Sequence, residues 1–123
     1  MKHFTPTQAN KTLPLVQKIV QDILKTGRRL GEIHESMGEE AARENPEFET
    51  LADHLDELFV ELEEIGCSYR DWNFEVGLVD FPAIIDGKDA LLCWRSDEKE
   101  IRFYHDLKTG YVGRQPIPEK LLK

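Results

Sequence analysis

The chain has 123 residues, a formal net charge of −8, 40% hydrophobic residues and 33% charged residues. That is enough apolar material for one modest core and too much for a disordered chain. The negative charge argues against nonspecific nucleic-acid binding, and no apolar run approaches the length of a membrane span. Only two cysteines are present, Cys67 and Cys93, and the start lacks a signal-type apolar segment, so a cytoplasmic protein with reduced thiols is expected.

In chain order, Thr5-Pro6-Thr7-Gln8 has the form of a capping box with proline at the first helical position. A short helix is expected there, with Pro14 either kinking it or opening a longer one. From Leu13 the apolar residues fall at Leu13, Val16, Val20, Ile23, Leu30 and Met37, a stripe of coiled-coil-like spacing. Gly27 and Gly31 interrupt that helix, either to admit a close neighbour or because isolated glycine is tolerated. Gly38 should stop it. Asn45-Pro46 caps a second long helix whose stripe is Phe48, Leu51, Leu55, Leu58, Leu62 and Ile65, with Gly66 as its stop.

Two such stripes joined by a short charged tip predict an antiparallel helical hairpin over residues 1–66. The charges are uneven: Glu32 to Glu64 holds thirteen acidic residues and only Arg43 as a base, whereas residues 1–31 hold six bases and Asp22. The antiparallel arrangement should bring Lys18, Lys25, Arg28 and Arg29 toward Asp56, Glu57, Glu61, Glu63 and Glu64. Ile19, Leu24, Phe59 and Val60 widen the stripes, and a wide apolar face needs cover. A homodimer through the helices is the expectation, with a basic protein partner at the acidic tip as a second possible contact. Neither nucleic acid nor membrane is expected as a partner.

Residues 67–123 are expected to form a small antiparallel β region with an irregular tail, making one α+β folding unit with the hairpin. Gly77 to Pro82 reads as a strand that ends at Pro82 or lies at an edge there, since proline cannot donate to a ladder. Asp86-Gly87 is a strong turn signal. Ala90–Arg95 and Glu100–Asp106 alternate with period two around a four-residue turn. Burial of Ile101 and Phe103 beside Leu92 and Trp94 would leave Leu91, Cys93, Arg95, Arg102 and Tyr104 on the opposite face. The tail from Glu119 onward is expected to be disordered.

Several segments resemble a known family. They are Phe4-Thr5-Pro6, Leu13-Pro14-Leu15-Val16, Gly77-Leu78-Val79-Asp80-Phe81-Pro82-Ala83, Leu92-Cys93-Trp94-Arg95, Tyr104-His105 and Gly113-Arg114-Gln115-Pro116. Together they are similar to the bacterial family known as domain of unknown function 2203. Tyr104 stands where that pattern has tryptophan, and Ser96-Asp97 where it has a leucine-glycine turn. The resemblance implies a small bacterial protein and no established activity.

No phosphate-binding glycine loop, paired CxxC, HExxH or GxSxG is present, so an enzyme is not the leading expectation and no cofactor is indicated. Three readings follow. The first is a metal or acid–base site from Asp80, His105 and either Glu98 or Glu100, with Cys93 as a further candidate, although the expected register turns Cys93 away from His105 and argues against both binding one metal. The second is a ligand pocket formed by Asp80, Trp94, Arg95, Tyr104, His105 and Arg114, with arginine forks for an anion and rings for stacking. The third, ranked first, is a dimeric interaction or scaffold protein with its binding site on the β region. Asp80, His105 and Arg114 are expected to converge at one edge of the sheet, with Trp94 as an apolar wall.

Overall fold

The computed structural model describes residues 2–122. Helix α1 runs from Pro6 to Met37, a short α2 from Glu39 to Glu44, and α3 from Pro46 to Ile65. A five-stranded antiparallel meander follows, in spatial order β1 (Ser68–Tyr69), β2 (Leu78–Ile85), β3 (Lys88–Arg95), β4 (Phe103–His105) and β5 (Gln115–Pro116). The architecture is the α+β arrangement of a long antiparallel helical hairpin followed by a small antiparallel sheet.

Local chemistry sets the helix ends. Gln8 N–H donates to Thr5 Oγ1 at 3.1 Å, and Thr5 N–H donates back to Gln8 Oε1 at 3.0 Å, closing the capping box. The expected short helix and first long helix are one element, because Pro14 lies inside α1 without ending it. A proline there removes a single helical bond, and Leu13, Val16, Val20 and Ile23 bury the face on which the helix continues. Asn45 Oδ1 accepts from Glu47 N–H at 2.8 Å to start α3, and Gly66, in the left-handed region at φ 112°, ends it.

One core joins hairpin and sheet. Leu13, Val16, Val20 and Ile23 of α1 and Leu58 and Leu62 of α3 pack in the same buried cluster as Tyr69, Val79, Phe81, Ala83, Leu92 and Trp94. The sheet's inner face therefore covers much of the wide apolar side of the hairpin. The charge pairs expected along the hairpin do not form among the described residues. Arg29 pairs instead with Glu47 and Glu32, and Arg28 donates to the carbonyls of Phe74 and Glu75. The loop before β2 reaches Arg28 first, and Lys18 and Lys25 have no ion-pair partner among the described residues.

That loop also explains one glycine. Asp71 accepts backbone N–H bonds from Asn73, Glu75 and Val76 and winds the loop so that the Phe74 ring lies on α1. A Cβ at Gly27 would strike that ring, whereas one at Gly31 would meet nothing within 4 Å. Gly27 thus admits a close neighbour and Gly31 is only tolerated.

Pro82 does not end its strand. Strand β2 continues to Ile85, but β1 pairs only with Val79 and Asp80, so beyond them that side of β2 is an open edge. Pro82 faces this edge, where its carbonyl accepts from Phe4 N–H at 2.7 Å and no donor is required of it. Asp86 and Gly87 both have positive φ, 52° and 77°, as a tight two-residue hairpin needs.

The expected register between β3 and β4 is off by one residue. Leu92 opposes Tyr104, Cys93 opposes Phe103 and Leu91 opposes His105. Ile101 is buried, yet it does not belong to the ladder. Asn10 of α1 holds both of its backbone groups, accepting from Ile101 N–H at 2.8 Å and donating to its carbonyl at 3.2 Å. That clamp breaks the alternation before Phe103, so Ile101 enters the core while Phe103 and His105 face outward. The tail is also ordered where described: Glu119–Leu121 makes a 3-10 turn, and Leu121 and Leu122 pack on the core. Lys123 lies outside the described residues.

Candidate functional site

The outer face of the sheet, away from the helices, carries the chemically capable side chains. The Asp86-Gly87 turn pairs Ile85 with Lys88, which places Asp80 opposite Cys93. Ser68, Asp80, Cys93 and Phe103 form one row across four strands, and Pro82, Leu91 and His105 form the next. Asp80 and His105 stand on strands two places apart, about 10 Å by ordinary strand spacing. They reach over the small Cys93 and meet above β3, with His105 Nε2 3.1 Å from Asp80 Oδ1.

All three side chains are buried. One ligand-type atom from each, the His105 nitrogen, the Cys93 sulfur and an Asp80 oxygen, lies within 4.8 Å of the others. The imidazole is held from behind: Nδ1 lies 2.7 Å from the Asp106 carbonyl. A carbonyl oxygen only accepts, so Nδ1 carries a proton and Nε2 is the nitrogen turned to Asp80. Asp106 is anchored in turn. Its carboxylate accepts from Thr109 and Lys108 N–H at 2.7 and 2.9 Å, and these bonds lower its pKa. Burial, reinforced by the Asp80 charge, pushes the Cys93 thiol up to about 12.

A cleft of about 350 Å³ opens over the cluster, lined by Arg70, Leu78, Leu91, Leu107, Lys108, Gly110 and Tyr111 as well as the three central residues. Arg70 Nε lies 3.3 Å from Asp80 Oδ2. Its Nη groups have no partner among the described residues, and Lys108 makes no ion pair among them.

The residues singled out from sequence divide into two groups. Asp80 and His105 meet directly, in the middle of the outer face rather than at an edge. Arg114 stands beside the cluster: it donates to the Cys93 carbonyl at 3.1 Å and to Glu98 at 2.7 Å, with its guanidinium over the Phe103 ring. Arg95 is at the rim, donating to the Tyr111 hydroxyl at 2.8 Å and pairing with Asp97. Trp94 is not a wall of the cleft. It points into the helix-facing core, where its Nε1–H donates to the Glu98 carbonyl at 2.9 Å. Tyr104 also lies on the core side.

Glu98 and Glu100 do not join Asp80 and His105. Glu98 is engaged by Arg114 and by Arg95 N–H, and Glu100 pairs with Arg102 near the surface. The third member is instead Cys93, which the expected register turned away from His105. One signal in the sequence could have recovered it. A two-residue Asp-Gly hairpin fixes pairing by counting outward, and the count from Ile85–Lys88 arrives at Asp80–Cys93. Arg70 and Lys108 have no such signal, because loops deliver them. Among the described residues, no helix is long and apolar enough to cross a membrane.

No curated protein and no solved structure matches the chain. A family model described as "Uncharacterized conserved protein (DUF2203)" matches residues 2–117, nearly the whole length, and the chain belongs to that family.

Proposed function

We propose that the protein is a binding module that takes a small anionic ligand in the cleft on the outer face of its sheet. One observation carries this reading: in a chain of net charge −8, the cleft presents Arg70 and Lys108 with donor groups that nothing else among the described residues engages. A guanidinium suits the planar fork of a carboxylate or phosphate, and Tyr111 adds a ring and a hydroxyl at the mouth. The hairpin serves as the rigid backing that keeps the sheet, and so the cleft, in one shape.

Inorganic phosphate, titrated into isotopically labelled protein, tests this. Amide shifts should concentrate at Arg70, Leu91, His105, Lys108 and Tyr111. Arg70→Ala or Lys108→Ala should weaken binding by roughly tenfold, the usual worth of a charge-assisted hydrogen bond. Shifts scattered over the surface, or unchanged by both substitutions, would rule the reading out.

A second proposal is a homodimer through the hairpin. It draws on Val60 and Trp72, which stand exposed near Phe59, with the Trp72 and Phe59 rings edge to face at 5.3 Å. Light scattering over a dilution series should then give twice the chain mass at micromolar concentration. A monomer throughout would count against it.

A further inference from the structure

Asp80, Cys93 and His105 present a carboxylate oxygen, a sulfur and an imidazole nitrogen from three adjacent strands, all buried and all within 4.8 Å of one another. We propose that these three side chains hold one zinc-class divalent ion at the floor of the cleft, leaving a fourth position open toward it. The proposal deepens the reading of this cleft as a binding site, since an exogenous anion is the natural occupant of that position.

Four features support it. The first is spacing. Donors at ordinary zinc distances in a tetrahedron stand about 3.3–3.6 Å apart. His105 Nε2 and Asp80 Oδ1 are already at 3.1 Å, and Cys93 Sγ lies within 4.8 Å of both.

The second is the outer support. His105 Nδ1 donates to the Asp106 carbonyl, the arrangement that orients a metal-binding imidazole and turns Nε2 toward the other two ligands. Asp80 is steadied by Arg70 through Oδ2, so Oδ1 is the oxygen offered. The third is donor type. A thiolate with an imidazole and one carboxylate favours zinc and related transition ions over magnesium or calcium, which take all-oxygen sites.

The fourth is charge. As thiolate and carboxylate, Cys93 and Asp80 supply two negative charges, which match those of one divalent ion. On binding, the Cys93 S–H proton and the proton that His105 Nε2 shares with Asp80 Oδ1 leave to solvent, bonds from the metal to S, N and O form in their place, and the thiolate and carboxylate neutralise the ion. No oxidant or reductant is involved. Arg114 and Glu98, already paired at 2.7 Å, stay outside.

Cobalt(II) chloride added to chelator-treated full-length protein provides the test. One equivalent should produce a thiolate-to-cobalt charge-transfer band and the intense visible bands of a tetrahedral ion, and zinc chloride should displace both. Cys93→Ser should abolish the charge-transfer band, while Cys67→Ser should keep it. Asp80→Asn and His105→Gln should weaken zinc by at least about tenfold. A folded wild-type chain without the band overturns the proposal, whether or not the variants fold. So does a band that survives Cys93→Ser and disappears with Cys67→Ser.

Phosphate titration of the chelated protein separates this inference from the one beneath it. Shifts at Arg70 and Lys108 without a cobalt band leave the anion site standing and remove the metal. A cobalt band, with no phosphate shifts in either the chelated or the metal-loaded protein, removes the anion site and leaves the metal.

Discussion

The two faces of the sheet are built from alternate residues of the same strands and do opposite things. On the inner face, Val79, Phe81, Leu92 and Trp94 are dry and packed against the hairpin. On the outer face, one position along each strand, Asp80, Cys93 and His105 form a polar knot under a cleft. Burial alone does not distinguish them, since members of both sets are less than 6% exposed. Their neighbours do. Inner residues are enclosed by other apolar side chains, and of these four only Trp94 bonds a polar atom, through its ring N–H, whereas Asp80 and His105 on the outer face are held by specific polar atoms. A buried group of the second kind keeps directional bonding capacity that a ligand can use.

The largest effects should come from the inner face. Phe81→Ala removes a fully buried ring that meets Phe4 edge to face at 5.3 Å, and should cost about 3–5 kcal/mol in urea unfolding. A loss below about 1 kcal/mol would mean the inner face is not the core. Asp80→Asn keeps the shape and removes the charge facing His105 and Arg70. It should cost about 1–3 kcal/mol, the range for disturbing one buried hydrogen bond, and weaken the proposed metal binding at least about tenfold in addition. Should it instead match Phe81→Ala in stability, the outer cluster would be structural and the contrast between the faces would collapse.

Gly27→Ala tests how tightly the helical side is closed. The new methyl meets the Phe74 ring, so overpacking of about 1–3 kcal/mol should outweigh the gain of about 1 kcal/mol in helix propensity. Gly31→Ala, four residues on, has open space and should stabilise by up to about 1 kcal/mol. Equal effects at the two glycines would show that the loop carrying Phe74 does not sit on α1.

The hairpin side also buries a thiol, whose effect is smaller and shows only in alkali. Burial pushes Cys67 from 9.0 up to about 12. A raised folded pKa means that the unfolded chain loses the proton first. The stabilisation is therefore fully present below about pH 9 and is lost as the pH climbs toward 12. Cys67→Ala should flatten the alkaline fall in the urea midpoint by the equivalent of one proton. An unchanged slope would place the titrating group elsewhere.

Much of this was already decided by local sequence. Thr5 with Gln8, Asn45 with Pro46, and Gly66 mark helix ends because each satisfies end groups within a few residues. Asp86-Gly87 sets the β2–β3 register because a two-residue turn admits one pairing, and that register already contains the Asp80–Cys93 neighbourhood. The hairpin followed by an antiparallel sheet is legible for the same reason: stripes, caps and turns are short-range signals.

The tertiary structure alone decided what β4 does. Alternation from Ile101 through His105 predicts one face for all three residues, yet Asn10, 91 positions away, holds the Ile101 backbone and shifts the parity at Phe103. Nothing near Ile101 in the sequence announces that bond. It turns His105 from the helical core, the side that Leu92 and Trp94 occupy, toward Asp80 and Cys93. Arg70 and Lys108 likewise reach the cleft from loops whose course depends on what they pack against. Period, caps and turns are written in neighbouring residues, so the sequence by itself determined the two long helices, the antiparallel strands after them and one hairpin register. The meeting of three side chains from three strands depends on a long-range backbone bond, which only the folded chain makes.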